Sequence, residues 1–191
     1  MTNSVTQTGG KRERLVESAT ALFHEQGVQR TTLAEVADRA EVPPGNVYYY
    51  FKTKDELVAA VLDGYLGQAA ILIASFERSR TPQARLKALV RNWVDMRDSV
   101  VRHGCPMGTL CVELHKSEGG LDREAAEVMA KIIDWSEGQF RQLGRPDARD
   151  LALALLAGVQ GAALLANTFR DPTILDRQAR HLERWIDSLS N

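Results

Sequence analysis

The sequence contains few of the features that mark disulfide-rich, low-complexity or membrane proteins. Its two cysteines lack the spacing of a disulfide framework, which favours a reducing cytoplasm. Its 14 glycines and 6 prolines are scattered along 191 residues, so no linker or low-complexity segment is expected. No uninterrupted apolar run reaches the roughly 18 residues of a membrane span, and we expect no membrane partner. The polar N-terminus lacks the apolar core of a secretory signal, and residues 1–10 are predicted to form a disordered arm.

The chain also lacks an excess of positive charge. Its formal net charge is −1, which by itself argues mildly against nucleic-acid binding. The placement of charge is more favourable, because lysines but no acidic residues occur between Val42 and Lys54, and residues 11–14 are mostly basic. A DNA-binding protein needs a local positive patch beside the phosphates, not a basic composition throughout.

Motifs typical of enzymes and of β-proteins are absent as well. The sequence has no glycine-rich phosphate loop, no nucleophile elbow and no recognisable pair of catalytic carboxylates. We therefore expect neither catalytic activity nor a cofactor. Strand-like alternation and internal repeats are missing, whereas apolar residues recur at helical spacing along most of the chain, which predicts an all-α fold.

What is present is a pair of short helices joined by a tight turn, from Thr32 to Phe51. Apolar residues recur at helical spacing in the first half, and Thr32 with Glu35 forms a capping-box pattern. Pro44 suits the first turn of the second helix, where a missing N–H has no intrahelical partner to lose. This arrangement is typical of a helix-turn-helix DNA-binding unit.

Three consecutive tyrosines occupy the second helix of this unit. Neighbouring residues on a helix point about 100° apart, so Tyr48, Tyr49 and Tyr50 cannot all face one core. At least one ring must face solvent or a partner.

Several further elements accompany this unit in a fixed order. They are Ala19, Leu22, Phe23 and Gly27, then Thr31-Thr32-Leu33, Val36-Ala37, the segment 42–51, and Lys54-Asp55-Glu56-Leu57. In this order and spacing, residues 11–66 resemble the DNA-binding domain of the TetR family of transcriptional regulators. Several spaced elements matched in order are a specific signal, whereas an isolated helix-turn-helix pattern is not. Pro43 and Pro44 depart from the small polar or basic residues common in the family at these positions.

The resemblance implies an all-α fold in two parts. Residues 11–66 would form a three-helix, helix-turn-helix DNA-binding domain, and residues 67–191 a helical ligand-binding and dimerisation domain. A long helix that begins after Thr53 would join them and carry ligand-driven motion to the DNA-binding end. The implied function is that of a ligand-responsive dimeric regulator, a repressor released from double-stranded operator DNA by a small-molecule inducer.

The expected DNA contacts cluster on and beside the second helix of the unit. Amide and hydroxyl groups suit base edges and phosphates, a glycine permits close approach of the backbone, and flanking residues can hold phosphates. The predicted contacts are Thr32, Gly45, Asn46, Tyr48, Tyr49 and Lys54. By resemblance, Tyr48 braces the helix while its hydroxyl touches a phosphate, and Tyr49 points outward. Val47 and Phe51 are predicted to lie in the core.

Methionine and tryptophan side chains recur on the central helices. Such residues at helical spacing belong more often to a core than to a ligand site, but the resemblance implies a mostly apolar small-molecule pocket here. The predicted apolar lining is Trp93, Met96, Met107, Leu110, Met129 and Trp135. The predicted polar groups are Arg97, Glu113 and Gln160.

Two cysteines and two histidines lie close together in the sequence, at His103, Cys105, Cys111 and His115. Ordinary packing of the thiols is the favoured interpretation, and a zinc site is disfavoured because the spacing matches no zinc signature, so we expect no metal. A third interpretation is that Cys105 is a sensor thiol. It precedes a predicted helix, where a thiol can have a lowered pKa and react more readily.

The segment from Asp150 to Phe169 is apolar on nearly every side and must be covered all round. We expect this helix and the last one to form a homodimer interface, as the resemblance also implies. The alternative is a core pair within one subunit. The predicted interface residues are Leu155, Gly158, Gly161, Leu165, Leu182 and Trp185.

Overall fold

The computed structural model describes residues 10–116 and 120–189 of the chain. The predicted N-terminal arm lies, except for Gly10, outside these residues. Within the described ranges the chain forms ten α-helices, in agreement with the predicted all-α fold. They are α1 (Lys11–Gln26), α2 (Leu33–Arg39), α3 (Pro44–Tyr50), α4 (Lys54–Phe76), α5 (Pro82–Asp95), α6 (Arg97–His103), α7 (Pro106–His115), α8 (Asp122–Gln142), α9 (Ala148–Phe169) and α10 (Thr173–Ser188).

Helix α1 packs its apolar face against α2 and α4, and α3 packs against α2. Leu15 and Ala19 on this face are fully buried. The helix ends at Gly27, whose φ of +88° is a conformation that other residues rarely adopt. Thr32 and Glu35 form the predicted capping box at the start of α2, with each side chain bonded to the backbone N–H of the other residue. Local sequence therefore determines both the end of α1 and the start of α2.

Helix α4 connects the N-terminal helices to the rest of the chain. The hydroxyl of Thr53 caps it by accepting the N–H of Glu56, which agrees with the predicted start of a long helix after Thr53. Near its start Leu57 and Leu62 are buried with the N-terminal helices, and at its end Phe76 is buried in a second core formed by the C-terminal helices. The predicted domain boundary at residues 66 and 67 falls inside this continuous helix, and its position stays a prediction.

The sequence predicts one helix between Thr81 and Gly104, but the chain forms two. The break lies at Met96, whose ψ of 1° leaves the α-helical region. There is no proline or glycine at this point, and the apolar spacing continues across it, so the sequence carries no local signal for the break.

Helix α9 packs against α8, α10 and α6. With α5, α8 and α10 it builds the second core, in which Leu86, Phe140, Leu155 and Ile186 are fully buried.

Two helices, α4 and α9, have the length and mean hydropathy (1.8 and 1.6) of a membrane span, a property that core helices of soluble proteins share. In their most apolar windows, 33% and 44% of residues are buried inside the subunit.

Candidate DNA-binding surface and ligand cavity

The surface of α3 presents two tyrosine side chains to solvent. Tyr49 is 77% exposed and Tyr48 is 57% exposed, while Val47 and Phe51 on the opposite side are buried as predicted. Tyr50 is half-buried and meets the Tyr49 ring edge-on, with ring centroids 5.1 Å apart. The outward position expected for Tyr49 is therefore present. Tyr48 is more exposed than a bracing role implies, because the core contacts of α3 come from Val47 and Tyr50.

Positively charged side chains flank this surface. Lys52 Nζ donates a 2.7 Å hydrogen bond to the Tyr48 carbonyl near the C-terminus of α3, and Lys54 Nζ donates to the Gln29 carbonyl at 3.3 Å. The Arg12 guanidinium lies over the Phe51 ring, 5.3 Å from its centroid. These contacts hold three cations around a helix that carries no acidic residue. The sequence pattern identified Lys54 but not Lys52 or Arg12 as individual candidates.

The remaining residues predicted to contact DNA differ in the exposure of their side chains and in the hydrogen bonds that these side chains already make. Asn46 is half-buried and Gly45 is exposed, with open space where a Cβ would stand. Thr32 is exposed, but its hydroxyl is engaged in the cap of α2, where it donates to Glu35 Oε2 at 2.8 Å. Close backbone approach at Gly45 would therefore serve an external partner, since no described residue lies within 4 Å of the Cβ position.

Two contacts join the N-terminal helices to the segment around α7. The Glu113 carboxylate accepts the backbone N–H groups of Val28 at 2.9 Å and Gln29 at 2.6 Å, in the loop between α1 and α2. His24 Nε2 donates to the Gly104 carbonyl, just before α7, at 2.9 Å. Glu113 was predicted as a polar group of the ligand pocket. That prediction is wrong, because its carboxylate instead binds the loop next to α2.

A cavity of about 160 Å³ lies among α4, α5, α7, α8 and α9. Of the predicted ligand residues, Trp93, Met96, Met107, Met129, Trp135 and Gln160 line it. Two other predictions are wrong. Leu110 is buried in the core shared with the N-terminal helices, and Arg97 is an exposed residue whose guanidinium donates to the Val94 carbonyl.

Helix α4 forms a wall of the cavity that the sequence did not indicate. Its contributions include Tyr65, Gln68, Leu72, Ile73 and Phe76. The apolar periodicity of α4 continues past residue 66, which is the signal that could have revealed this wall. Burial raises the pKa of Tyr65 to about 12, so its phenol stays protonated in the cavity wall.

Cys105 also lines the cavity, at the N-terminus of α7. Its sulfur accepts the N–H of Gly108 at 3.2 Å, but the side chain is only 6% exposed. Burial raises the pKa of the Cys105 thiol, and the hydrogen bonds from Gly108 and Gln160 oppose this effect without cancelling it. The expected lowering of the pKa is therefore wrong in direction, because the effect of burial exceeds that of the helix terminus. Among the described residues, no group of three or more His, Cys, Asp or Glu side chains is placed to share a metal ion.

Comparisons with known proteins agree with this architecture. Residues 15–61 match the profile of bacterial regulatory proteins of the tetR family, and residues 82–181 match that of the transcriptional regulator LmrA/YxaF-like C-terminal domain. The chain is 46% identical to the HTH-type transcriptional regulator TtgR of Pseudomonas putida, over 93% of this chain and 88% of TtgR. This chain belongs to the TetR family. It is thus a DNA-binding transcriptional regulator, from a family whose members are generally not enzymes.

Two further comparisons are informative. The HTH-type transcriptional repressor KstR2 of Rhodococcus jostii is 36% identical over 42% of this chain and 40% of KstR2. A TetR transcriptional regulator from Legionella pneumophila has the same fold, with a TM-score of 0.84 at 18% identity, covering 96% of this chain and 98% of that one.

The face predicted for dimerisation is only partly available in this TetR family member. Leu155 and Leu182 are buried inside the subunit, Gly158 lies against Gln178 and Leu182 of α10, and Trp185 packs on Phe140. The prediction that Leu155 and Leu182 meet a partner is wrong, because α10 already covers that side of α9. Gly158 and Trp185 are half-buried, and their contact with a partner stays a prediction. Gly161 and Leu165 are exposed. They belong to an apolar stripe along the exposed side of α9, which we call the α9 stripe: Leu153, Ala157, Gly161, Leu164, Leu165 and Phe169.

Proposed function

We propose that this TetR family regulator is a cytoplasmic homodimeric repressor, released from operator DNA by a small molecule bound in the central cavity. The observation that carries the proposal is the shared role of α4. Its first turns are buried against the DNA-binding helices, and its later turns form a wall of the cavity. A ligand that displaces this wall must therefore act on the same helix that positions α3.

On the DNA side, we place α3 in the major groove. Tyr49 and Asn46 would contact base edges or phosphates, and Gly45 would allow the backbone to approach the groove closely. Tyr48, Lys54 and Thr32 would contact phosphates on either side. Lys52 joins this set, because its ammonium group lies at the end of α3. Exposure of both tyrosine rings supports the assignment, since exposed aromatic rings gain nothing from the protein core.

Two subunits are needed to read two half-sites one helical turn apart. We propose that the α9 stripe, with the adjacent surface of α10, forms the interface. Leu164 and Phe169 are 66% and 67% exposed in the single subunit, and a second copy would cover them. A shallow groove beside Gly161 and Leu165, bordered by Ile174 and Gln178 of α10, could receive side chains of the partner.

Release by a ligand requires two conformations with different ligand affinity. The ligand must bind more tightly to the state in which the two DNA-binding domains are wrongly spaced for the operator. Besides α4, two connections can transmit such a change. The first runs through the segment from Cys105 to Met107, which lines the cavity and directly follows Gly104, whose carbonyl accepts a hydrogen bond from His24. The second is Glu113 on α7, whose carboxylate binds the loop before α2.

The proposal is tested by fluorescence anisotropy with the upstream intergenic DNA of its own gene, random DNA as competitor and a salt series. We expect competitor-resistant binding that weakens steeply with salt. Replacing Tyr49 with Ala should weaken operator binding by about tenfold or more, with the dimer intact. Ile71→Ala removes an equally exposed side chain from α4 and should leave binding unchanged.

Lys54→Gln provides a second criterion. Loss of one phosphate contact should weaken binding to operator and random DNA alike and reduce the salt slope by about one. Operator affinity that survives Tyr49→Ala unchanged would remove α3 from the proposed interface. Operator binding that no cavity ligand affects would contradict release by an inducer.

A further inference from the structure

The side chains around the cavity restrict which molecules can bind. Among the described residues that line it, none carries a formal charge. The walls are mostly apolar and combine aliphatic side chains with aromatic rings and thioethers, including Trp93, Trp135, Met96 and Met129. An ionised ligand would lose its hydration without meeting a countercharge, which is costly in an apolar site. The lining therefore favours an uncharged, largely apolar ligand.

The volume of the cavity is sufficient for a single small ring. A closed apolar cavity of about 150 Å³ in another protein holds a benzene molecule. The volume here is about 160 Å³. It matches one aromatic ring with a small substituent, and the indole and thioether walls suit the flat faces of such a ring.

Two side-chain amides in the lining have weak hydrogen-bond partners. Gln160 Nε2 donates to the Met129 sulfur at 3.8 Å, and the Cys105 sulfur is its other partner among the described residues. Asn92 Nδ2 donates to the Met96 sulfur at 3.6 Å. A thioether is a weak acceptor. A carbonyl or phenol oxygen in the cavity would be a better acceptor for either amide.

We propose that the cavity binds an uncharged single-ring aromatic molecule whose oxygen accepts a hydrogen bond from the Gln160 amide. Asn92, on the facing helix α5, is available to a second oxygen on the same ring. This inference rests on the proposed function, because it names the chemical class of the ligand that would release the protein from DNA.

Three molecules of nearly the same shape separate the contribution of the hydrogen-bond acceptor from that of the ligand charge. Acetophenone is neutral and carries a carbonyl acceptor, α-methylstyrene replaces that oxygen with a methylene group, and benzoate carries a charge. Equilibrium dialysis with the full-length protein measures the affinity of each. We expect acetophenone to bind, and benzoate to bind at least about tenfold more weakly because its charge is unpaired.

The hydrogen bond is isolated by a variant that preserves the shape of the side chain. Because α-methylstyrene is more hydrophobic than acetophenone, the two affinities differ for reasons other than the hydrogen bond. The informative quantity is therefore the ratio of the two affinities, compared between the parent and the variant. Gln160→Met should lower the acetophenone to α-methylstyrene affinity ratio by about three- to tenfold. Gln142→Met changes an exposed glutamine on α8 that lies outside the cavity lining and should leave the ratio within about twofold. Thermal unfolding of each variant verifies that it is folded.

The outcomes are distinct. Absence of acetophenone binding, equal binding of benzoate, an unchanged ratio in Gln160→Met, or an equal loss in Gln142→Met would each overturn the proposal. Failure of the proposed function is recognised separately, in the operator-binding assay. If acetophenone binds as described but the protein does not bind operator DNA, the proposed ligand class is supported and the proposed repressor function is wrong. If the protein binds the operator and a charged molecule releases it, the repressor function is supported and this ligand class is wrong.

Discussion

The Glu113 carboxylate on α7 accepts the backbone N–H of Gln29, which precedes the helix-turn-helix unit, at 2.6 Å. The other carboxylate oxygen accepts the N–H of Val28. One side chain from the C-terminal part of the chain thus binds two consecutive N–H groups of the loop after α1. The close fit is evident at Gly27, where a Cβ would lie 3.0 Å from this carboxylate.

Replacement of Glu113 with Gln should destabilise the protein. The amide keeps the shape of the side chain but offers only one carbonyl oxygen, so one N–H loses its acceptor and the charge-assisted bond is lost. We expect a decrease of about 1–3 kcal/mol in the free energy of unfolding, measured by urea titration. Glu127→Gln, at an exposed position of α8, is the control and should change it by less than about 0.5 kcal/mol. Equal midpoints for the two variants would show that the contact contributes nothing.

A charge in the α9 stripe should prevent dimerisation. Leu165 is 47% exposed in the subunit, and Leu165→Glu would place an unpaired carboxylate in the proposed interface. The cost of several kcal/mol should raise the dimer dissociation constant about 100-fold or more, measured by sedimentation equilibrium. Ile71→Glu, at an exposed apolar position on α4, should leave the dimer intact. A dimer that tolerates Leu165→Glu but not Ile71→Glu would move the interface to α4.

Stability should decrease at mildly acidic pH because of His24. Burial lowers the pKa of His24 from its ordinary value of 6.5, and the neighbouring His103 lowers it further, while the Gly104 carbonyl and Glu25 oppose the shift. As the pH falls from about 6.5 through this lowered pKa, the unfolded chain binds a proton that the folded chain does not. The contribution of His24 to stability is therefore complete above 6.5 and is lost below it.

Urea unfolding between about pH 7.5 and pH 5.5 measures this effect. His24→Gln can still donate a hydrogen bond to Gly104 but cannot titrate, so its stability should depend less on pH than that of the parent. His181→Gln, at an exposed position of α10, serves as the control. A parent and a His24→Gln variant with the same pH dependence would rule out His24 as the titrating group.

The Cys105 thiol should react slowly in the folded protein. Burial both shields the sulfur and raises its pKa, so little thiolate is present at neutral pH. Alkylation by iodoacetamide, followed by mass spectrometry, should be at least about tenfold slower at Cys105 than in the urea-unfolded chain. Equal rates would mean that the thiol is accessible and reactive after all. If Cys105→Ser loses operator DNA in response to oxidants or electrophiles as the parent does, Cys105 is not a sensor.

The sequence by itself determined the local structure of this protein. The capping box formed by Thr32 with Glu35, the start of a long helix after Thr53, and the burial of Val47 beside an exposed Tyr49 all follow from it. Each depends on residues within a few positions of one another, so spacing and side-chain chemistry are sufficient. The ordered motifs of residues 11–66 also identified the family.

The tertiary structure decided which partner each apolar or polar side chain meets. Apolar spacing indicated that α9 must be covered, but it could not distinguish the side covered by α10, with Leu155, from the exposed side, with Leu165. The Glu113 carboxylate binds Gln29, 84 positions away, and no local pattern encodes that distance. Likewise, Cys105 stands at a helix N-terminus in the sequence, whereas only the packing of α4, α8 and α9 around it determines its burial and the direction of its pKa shift.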